Sequence, residues 1–146
     1  MRVVADTGPL VAAANRRDRA HGLAASLVAA LGRDLIVPEP VLVETDQLLR
    51  ARVGSAAARL FLAALVAGEH TVGFLTPGLL ARAAEIDARF ADLDLGVADA
   101  SVMAYAERND LPILTFDFEH FRAAPPASGF WRLVVDASRF AEAVGG

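Results

Sequence analysis

Short apolar segments alternate with longer segments of mixed polarity along most of this chain. The apolar segments have the length and composition of buried strands, and they cover residues 2–5, 35–37, 71–75, 112–116 and 130–135. In the longer segments the apolar side chains recur every three or four residues, as they do on one face of a helix. We therefore predict five strands, most of them separated by helices.

Turn and capping residues mark the ends of the predicted helices. Gly32 suits the left-handed end of a helix, and Ser55 suits an N-cap. Thr76 and Pro77 form a strong helix start, and Pro9 is also predicted at a first helical position. The predicted helices cover residues 9–14, 21–31, 41–52, 56–67, 77–90 and 97–109, with a weaker one at 138–144.

The predicted strands are apolar on both faces, which is typical of a parallel sheet covered by helices on both sides. At 146 residues, the chain is most economically one domain, residues 1–146. We predict an α/β fold with a five-stranded parallel sheet. If the first three strands wind one way and the last two the other, strands one and four become neighbours where the winding reverses.

Composition and charge narrow the possible functions. The chain has no cysteine, so it can form neither a disulfide nor a thiolate metal site. Its net charge of −4 disfavours a nonspecific nucleic-acid coat protein, but it is compatible with a nuclease whose acidic pocket is neutralised by metal. No apolar stretch resembles a signal peptide or a bilayer-spanning helix, so we expect a soluble, cytoplasmic protein without membrane association.

Four acidic residues occupy positions that converge in such a fold. Asp6 follows the first strand and Asp117 follows the fourth, at the sheet edge where ligands bind in open α/β folds. Glu44 and Asp99 lie near helix starts, with apolar neighbours three or four residues away on the same helix face. Each acid alone is more often a helix cap or a solvated residue, and Asp117 could cap a short segment at 118–122. Together the four predict one crowded pocket.

Like charges at such short range repel each other, so the pocket requires protons or a cation. We expect only oxygen ligands there, with neither cysteine nor histidine in the cluster. This donor set favours Mg²⁺ or Mn²⁺ over Zn²⁺. Such ions activate water and stabilise the leaving oxygen of a phosphodiester, so the predicted chemistry is metal-assisted hydrolysis of a phosphate ester.

The sequence around these acids also carries a family resemblance. The four blocks are Val-Val-Ala-Asp6-Thr-Gly, Val-Leu-Val-Glu44-Thr, Leu-Gly-Val-Ala-Asp99-Ala-Ser and Ile-Leu-Thr-Phe-Asp117-Phe-Glu-His-Phe. In this order they resemble a PIN domain, and more narrowly the toxin ribonucleases of VapBC toxin–antitoxin pairs. The resemblance implies a three-layer sandwich with a five-stranded sheet and an Mg²⁺- or Mn²⁺-dependent endoribonuclease. It also implies a homodimer that is neutralised by a small, VapB-like antitoxin.

The matching blocks imply roles for individual residues. Asp6 and Asp99 are the best candidates for direct metal ligands, while Glu44 and Asp117 would complete the shell or orient the attacking water. Thr7 and Thr115 would hold the loops of the first and last acids by local hydrogen bonds. Asp94 is a candidate outer-shell acid or helix cap, and His120 is a candidate substrate contact or a packing residue.

One position departs from the family pattern. The acid of the last block is often followed by Arg in such proteins, whereas Phe118 stands there in this chain. A candidate phosphate contact is therefore missing, which places substrate affinity rather than metal binding in question. The replacement cations that the sequence offers are Arg16, Arg17, Arg19 and Arg122.

Other functions fit the residues less well. Asp6-Thr-Gly8 matches the triplet of aspartic proteases, but those enzymes use two such acids in an all-β framework. A phosphoacceptor domain commonly needs a lysine, which this chain lacks, and a haloacid-dehalogenase-type phosphatase needs an acid where Gly8 stands. The remaining alternative is a PIN-like protein that binds RNA or a partner without cutting.

Overall fold

The fold, seen in a computed structural model that describes residues 1–145, consists of strands alternating with helices. The strands are β1 (Val3–Ala5), β2 (Leu35–Pro38), β3 (Thr71–Gly73) and β4 (Ile113–Leu114). The helices are α1 (Thr7–Ala14), α2 (His21–Leu31), α3 (Glu39–Arg52), α4 (Ser55–Val66), α5 (Pro77–Arg89), α6 (Gly96–Asn109), α7 (Phe118–Ala123) and α8 (Ala137–Gly145).

The four strands form one parallel sheet in the order β3-β2-β1-β4. In the register, Val4 of β1 pairs with Ile36 on one side and Ile113 on the other. Strands one and four are therefore neighbours, as predicted from the reversal of winding. Every residue of β1, β2 and β4 is buried. Because successive strand residues face opposite sides of a sheet, this burial shows that both faces are covered.

The predicted fifth strand is wrong, and the sheet has four strands. Residues 130–135 contribute a single parallel bridge, between Leu133 and Ile113. The short β4 offers little edge for pairing, and Phe130 is 88% exposed instead of buried. The adjacent Trp131 is anchored elsewhere, since its indole Nε1 donates a hydrogen bond to the Ala124 carbonyl oxygen at 2.7 Å. This segment is therefore held beside β4 mainly as a loop.

Two of the predicted helix starts, His21 and Pro77, are confirmed, and the other five differ by one or two residues. The first helix begins at Thr7, because the side chain of Asp6 caps it, so Pro9 occupies the third helical position instead of the first. Ser55 is the first residue of α4 and its side chain caps nothing. The predicted cap of α5 is confirmed, since Thr76 Oγ1 accepts a hydrogen bond from Leu79 N at 3.2 Å.

The helices are short and pack around the sheet. The longest, α3 and α6, contain 14 residues each, whereas a helix needs about 20 to cross a bilayer. Within residues 1–145, no helix is long and apolar enough to span a membrane. The middle of α6 is buried against the strands, with Val102 and Met103 fully inaccessible to solvent. This burial fixes the start of α6 next to the end of β1.

Candidate metal-binding active site

A cleft of about 540 Å³ opens at the carboxyl edge of the sheet, where β1 and β4 end. All four predicted acids line this cleft, although they come from four separate segments. Its lining consists of Asp6, Thr7, Gly8, Val11, Ala12, Asp18, Ala20, Glu44, Leu48, Arg52, Asp99, Phe116, Asp117 and Phe140. The convergence expected from the sequence is therefore present.

Asp6 is buried and fixed by two hydrogen bonds. Its side chain is only 4% exposed. Oδ1 accepts from the backbone N of Thr7 at 2.8 Å, and Oδ2 accepts from Oγ1 of Thr115 at 2.7 Å. The same Thr115 hydroxyl accepts from the backbone N of Asp117 at 3.0 Å. Thr115 thus joins the acid that follows β1 to the acid that follows β4.

Glu44 is connected to this group through the other threonine. Thr7 Oγ1 donates a hydrogen bond to Glu44 Oε2 at 2.9 Å. Glu44 lies one turn after the fully buried Val41 and points into the cleft, as its place on the helix face predicted. Both threonines make the local hydrogen bonds expected of them, and they also link acids that are distant in sequence.

Asp99 differs from Asp6, because no group among the described residues donates a hydrogen bond to its carboxylate. It lies in the first turn of α6 and is partly buried. Burial, followed by the negative charges of Asp6, Asp117 and Glu44, raises the pKa of Asp99 to about 7. Burial also raises the pKa of Asp6, against the opposing effect of its hydrogen bonds from Thr115 and Thr7. The cluster is therefore unfavourable while it is fully ionised and without a counter-charge.

His120 lies against the acids, which corrects the expectation of a cluster without histidine. Its Nδ1 atom is 2.8 Å from Oδ2 of Asp117 and 3.5 Å from Oδ2 of Asp99. Its backbone N donates to Oδ1 of Asp117 at 3.2 Å, so Asp117 caps α7, as the sequence suggested. The spacing of three residues from Asp117 was the sequence signal for this contact, because it places both side chains on one turn.

The donor set fits a divalent cation. One ligand atom from each of Asp99, Asp117 and His120 lies within 4.8 Å of the others. Asp6 is not part of this group of three but lines the same cleft, and each of its oxygens retains a lone pair beyond the hydrogen bond that it accepts. Carboxylate oxygens suit Mg²⁺ and Mn²⁺, and an adjacent imidazole nitrogen is a ligand that Mn²⁺ accepts more readily than Mg²⁺ does.

Several predicted residues lie elsewhere. Asp94 is exposed, has a left-handed backbone with φ 50° and does not line the cleft. The four arginines proposed as replacement cations are also absent from the lining, and Arg19 instead donates to the Val144 carbonyl oxygen at 3.1 Å. The cation that lines the cleft is Arg52, which the sequence reasoning missed. The sequence did contain a signal for Arg52, because it follows Glu44 and Leu48 at intervals of four residues and so lies on the same face of α3.

Two aromatic side chains belong to the lining of the cleft. Phe116 and Phe140 both line it, with ring centroids 4.7 Å apart. Phe118, at the position where the resemblance led us to expect Arg, packs edge-on against Phe140 with centroids 5.5 Å apart. At this position the chain therefore has a packing contact for Phe140 instead of a charge.

Comparison with known proteins decides the family. The model of the PIN domain matches residues 3–125, which is most of the chain. The chain belongs to the PIN-domain family. It is also 29% identical over 128 residues to Ribonuclease VapC26 of Mycobacterium tuberculosis, which covers 87% of this chain and 95% of that relative.

Solved structures agree with this assignment. VapC20 of Mycobacterium tuberculosis, described as a Sarcin-Ricin loop cleaving toxin, superimposes with a TM-score of 0.77 at 26% identity. The match covers 90% of this chain and 98% of VapC20. VapBC2 from Rickettsia felis, bound to a DNA fragment from its promoter, gives a TM-score of 0.63 at 14% identity over 86% of this chain and 94% of that one. This second match supports the fold alone.

These relatives confirm the class of protein predicted from the four sequence blocks. Metal-dependent RNA cleavage is the general activity of the family, and the relatives place this chain among nucleases, a class of hydrolases. The acidic cluster is a site that could bind a metal ion.

Proposed function

We propose that this protein is an endoribonuclease toxin that uses Mg²⁺ or Mn²⁺ to hydrolyse RNA phosphodiester bonds. The observation that carries the proposal is the convergence of four carboxylates from separate segments in one open cleft. Their mutual repulsion makes a bound cation favourable, and an open cleft leaves room for a polymeric substrate. The similarity to Ribonuclease VapC26 and to VapC20 supports RNA as the substrate.

Asp6 and Asp99 are proposed as direct ligands of the cation, with Glu44 and Asp117 completing the shell or orienting the attacking water. A divalent cation held there would supply Lewis-acid stabilisation of the phosphodiester and lower the pKa of water. The chain itself supplies the positioning. Thr7 and Thr115 fix the acids, since each threonine contacts two of the four.

His120 keeps two possible roles in this proposal. Its contact with Asp117 fixes the orientation of that carboxylate, which is a positioning role. His120 is not among the residues that line the cleft, but its imidazole is partly exposed beside Asp117, which does line it, so a contact with substrate stays part of the proposal. Asp94 lies outside the cleft lining and has no part in it.

Regulation by a partner is also proposed. A small, VapB-like antitoxin would occupy the apolar groove between α1, α2 and α4, where Leu60 is 73% exposed. The groove is lined by Leu10, Ala13, Ala14, Val28, Ala57, Leu60, Phe61, Ala64 and His70.

We propose a homodimer as well, because α3, α5 and α6 expose large apolar side chains, namely Val43, Leu80 and Val97.

We further propose that residues 1–146 form a single domain. The last helix, α8, follows the residues that match the family model, yet it packs through Phe140 onto Phe116 beside the acids.

One alternative function is a PIN-like protein that binds RNA or a partner without cutting it. Two features favour it, namely Phe118 at a position where the resemblance led us to expect Arg, and a cleft lining in which Arg52 is the one arginine among the described residues.

The deciding experiment is an RNA cleavage assay with purified protein that is free of antitoxin. We expect cleavage of RNA with Mg²⁺ or Mn²⁺, none in EDTA, and none when both Asp6 and Asp99 are replaced by Asn. Metal-independent cleavage, or cleavage that survives the double replacement, would mean that a contaminating nuclease acts. If no cleavage occurs in any metal while RNA still binds, the alternative is correct.

A further inference from the structure

The lining of the cleft combines acidic with apolar side chains. Besides the acids it contains Val11, Ala12, Ala20, Leu48, Phe116 and Phe140, and Arg52 is the one basic side chain in the lining of residues 1–145. The acids repel a phosphate group unless a cation is bound. The apolar part of the lining therefore suits the uncharged part of a nucleotide, which is its base.

Both rings of the lining are partly open to solvent, as a stacking contact with a ligand requires. Phe116 and Phe140 are both partly exposed, and their planes are inclined at 44°. Phe118 supports Phe140 from the side, in a T-shaped contact with an interplanar angle of 63°. Because Phe116 directly precedes Asp117, the aromatic surface adjoins the acidic one. A base stacked here would place its own phosphate near the acids.

One of the two rings comes from outside the part of the chain that the family model matches. That match ends at residue 125, and Phe140 lies in α8. The helix is fastened to the rest of the fold by the packing of Phe140 and Val144 on α1 and α2, and by the hydrogen bond from Arg19. The cleft lining therefore combines Phe116, from the matched region, with Phe140, from outside it.

We propose that Phe116 and Phe140 form a base-binding subsite, in which one unpaired RNA base stacks beside the phosphodiester that is cut. This inference rests on the proposed function and deepens it by naming the two residues that would hold a base of the substrate beside the acids. A base within a duplex is covered on both faces by its neighbours, whereas an unpaired base can stack on an aromatic side chain. Such stacking tolerates all four bases, so the subsite would select unpaired structure rather than sequence.

The kinetic test uses Phe140→Leu, which keeps an apolar side chain but removes the ring, and Phe140→Tyr, which keeps the ring. The matched control is Phe130→Leu, because Phe130 is exposed and lies outside the cleft. With a single-stranded oligonucleotide and Mn²⁺, we expect Phe140→Leu to raise KM about tenfold with little change in kcat. Phe140→Tyr and the control should retain the wild-type KM.

A second, spectroscopic test does not require the Phe140→Leu variant to fold. Asp99→Asn protein, which keeps both rings, is mixed with RNA that carries 2-aminopurine, a base whose fluorescence is quenched by stacking. We expect quenching with single-stranded RNA and little with the same RNA in a duplex.

The outcomes of these tests distinguish failure of the base-binding subsite from failure of the proposed ribonuclease function. Wild-type cleavage combined with an unchanged KM in folded Phe140→Leu, or equal quenching by both RNA forms, overturns the base-binding subsite alone. Wild-type protein that cleaves no RNA overturns the proposed function, and the quenching result then still decides whether a base stacks on the rings.

Discussion

Asp6 and Asp99 line the same cleft, but they differ in how deeply they are buried and in how many hydrogen bonds their carboxylates accept. Asp6 is almost fully buried and both of its oxygens accept hydrogen bonds, from Thr7 and from Thr115. Asp99 is less buried, receives no hydrogen bond from the described residues, and has its pKa raised to about 7. The first carboxylate is therefore part of the scaffold, whereas the second is placed by its position in α6 and has His120 Nδ1 3.5 Å away.

This difference indicates how the cleft tolerates its charge. Hydrogen bonds stabilise the ionised form of Asp6 and partly offset its burial. For Asp99 no hydrogen bond among the described residues supplies such compensation, and His120 opposes the rise of its pKa only in part, so a proton or an external cation must supply the rest. The site thus combines a rigid half, formed by Asp6 and its threonine donors, with a second half at Asp99 that needs a counter-charge. Substitutions can test each half separately.

The largest effect is expected from Asp99→Asn. This change removes a proposed ligand without removing any hydrogen bond, so we expect metal-dependent RNA cleavage to fall by more than about 100-fold. The metal-free protein should melt at a higher temperature than the wild type, because one repelling charge is lost. Cleavage assays and thermal unfolding in EDTA measure both effects. A lower melting temperature in EDTA would show that Asp99 stabilises the fold instead.

The rigid half is tested by Thr115→Val, which keeps the side-chain shape and removes the hydroxyl. Because the buried Asp6 carboxylate loses a donor, we expect a destabilisation of about 1–3 kcal/mol in urea unfolding. The matched control is Thr45→Val. Thr45 is equally buried, but its hydroxyl has no hydrogen-bond partner among the described residues, so its loss should be neutral or slightly stabilising. Equal effects of the two changes would contradict the role of Thr115.

The pH dependence of stability follows from the direction of the pKa shifts. The ordinary pKa of an aspartate here is 3.8, and the folded protein raises that of Asp99 to about 7. Between these values the folded state binds more protons than the unfolded state, so the metal-free protein loses stability as the pH rises from about 4 to 7. Thermal unfolding in EDTA should show this decline, and Asp99→Asn should reduce it.

Divalent metal should reverse this decline. A cation competes with protons for the carboxylates, so Mn²⁺ should raise the melting temperature more at pH 8 than at pH 5. An equal effect at both values would mean that the metal binds outside this cluster.

The smallest effect is expected at Arg52. Its charge would attract RNA phosphate to the edge of the cleft, so Arg52→Gln should raise KM about three- to tenfold and weaken the salt dependence of binding. Arg50→Gln is the matched control, because Arg50 lies on the same helix but pairs with Asp46. Identical kinetics of the two variants would rule out a specific role for Arg52.

The sequence predicted the position of a side chain correctly wherever that position follows from the place of the residue at a strand end or on a helix face. Asp6 and Asp117 follow neighbouring parallel strands, so their convergence depends on the topology alone. Glu44 and Asp99 could be placed because their apolar neighbours at helical spacing orient the helix face. These rules predicted the acidic side of the cleft.

The remaining features depend on contacts between distant segments. Residues 130–135 are apolar enough for a strand, but the two residues of β4 leave almost no edge to pair with. Phe140 reaches the cleft only because α8 packs back over it, and no periodicity predicts that return. Arg52 lies at the end of α3, where an exposed arginine is usually only solvated. Its spacing from Glu44 and Leu48 places it on their face of the helix, but only the structure shows that the cleft extends as far as this last turn.

The most direct test of this account is a crystal structure of the protein grown with Mn²⁺, recorded so that anomalous scattering locates the ion. We predict an anomalous peak in the cleft, bound by carboxylate oxygens of Asp6 and Asp99, with Glu44 and Asp117 completing its surroundings. A cleft without Mn²⁺ at saturating concentration, or Mn²⁺ bound only elsewhere on the molecule, would contradict it.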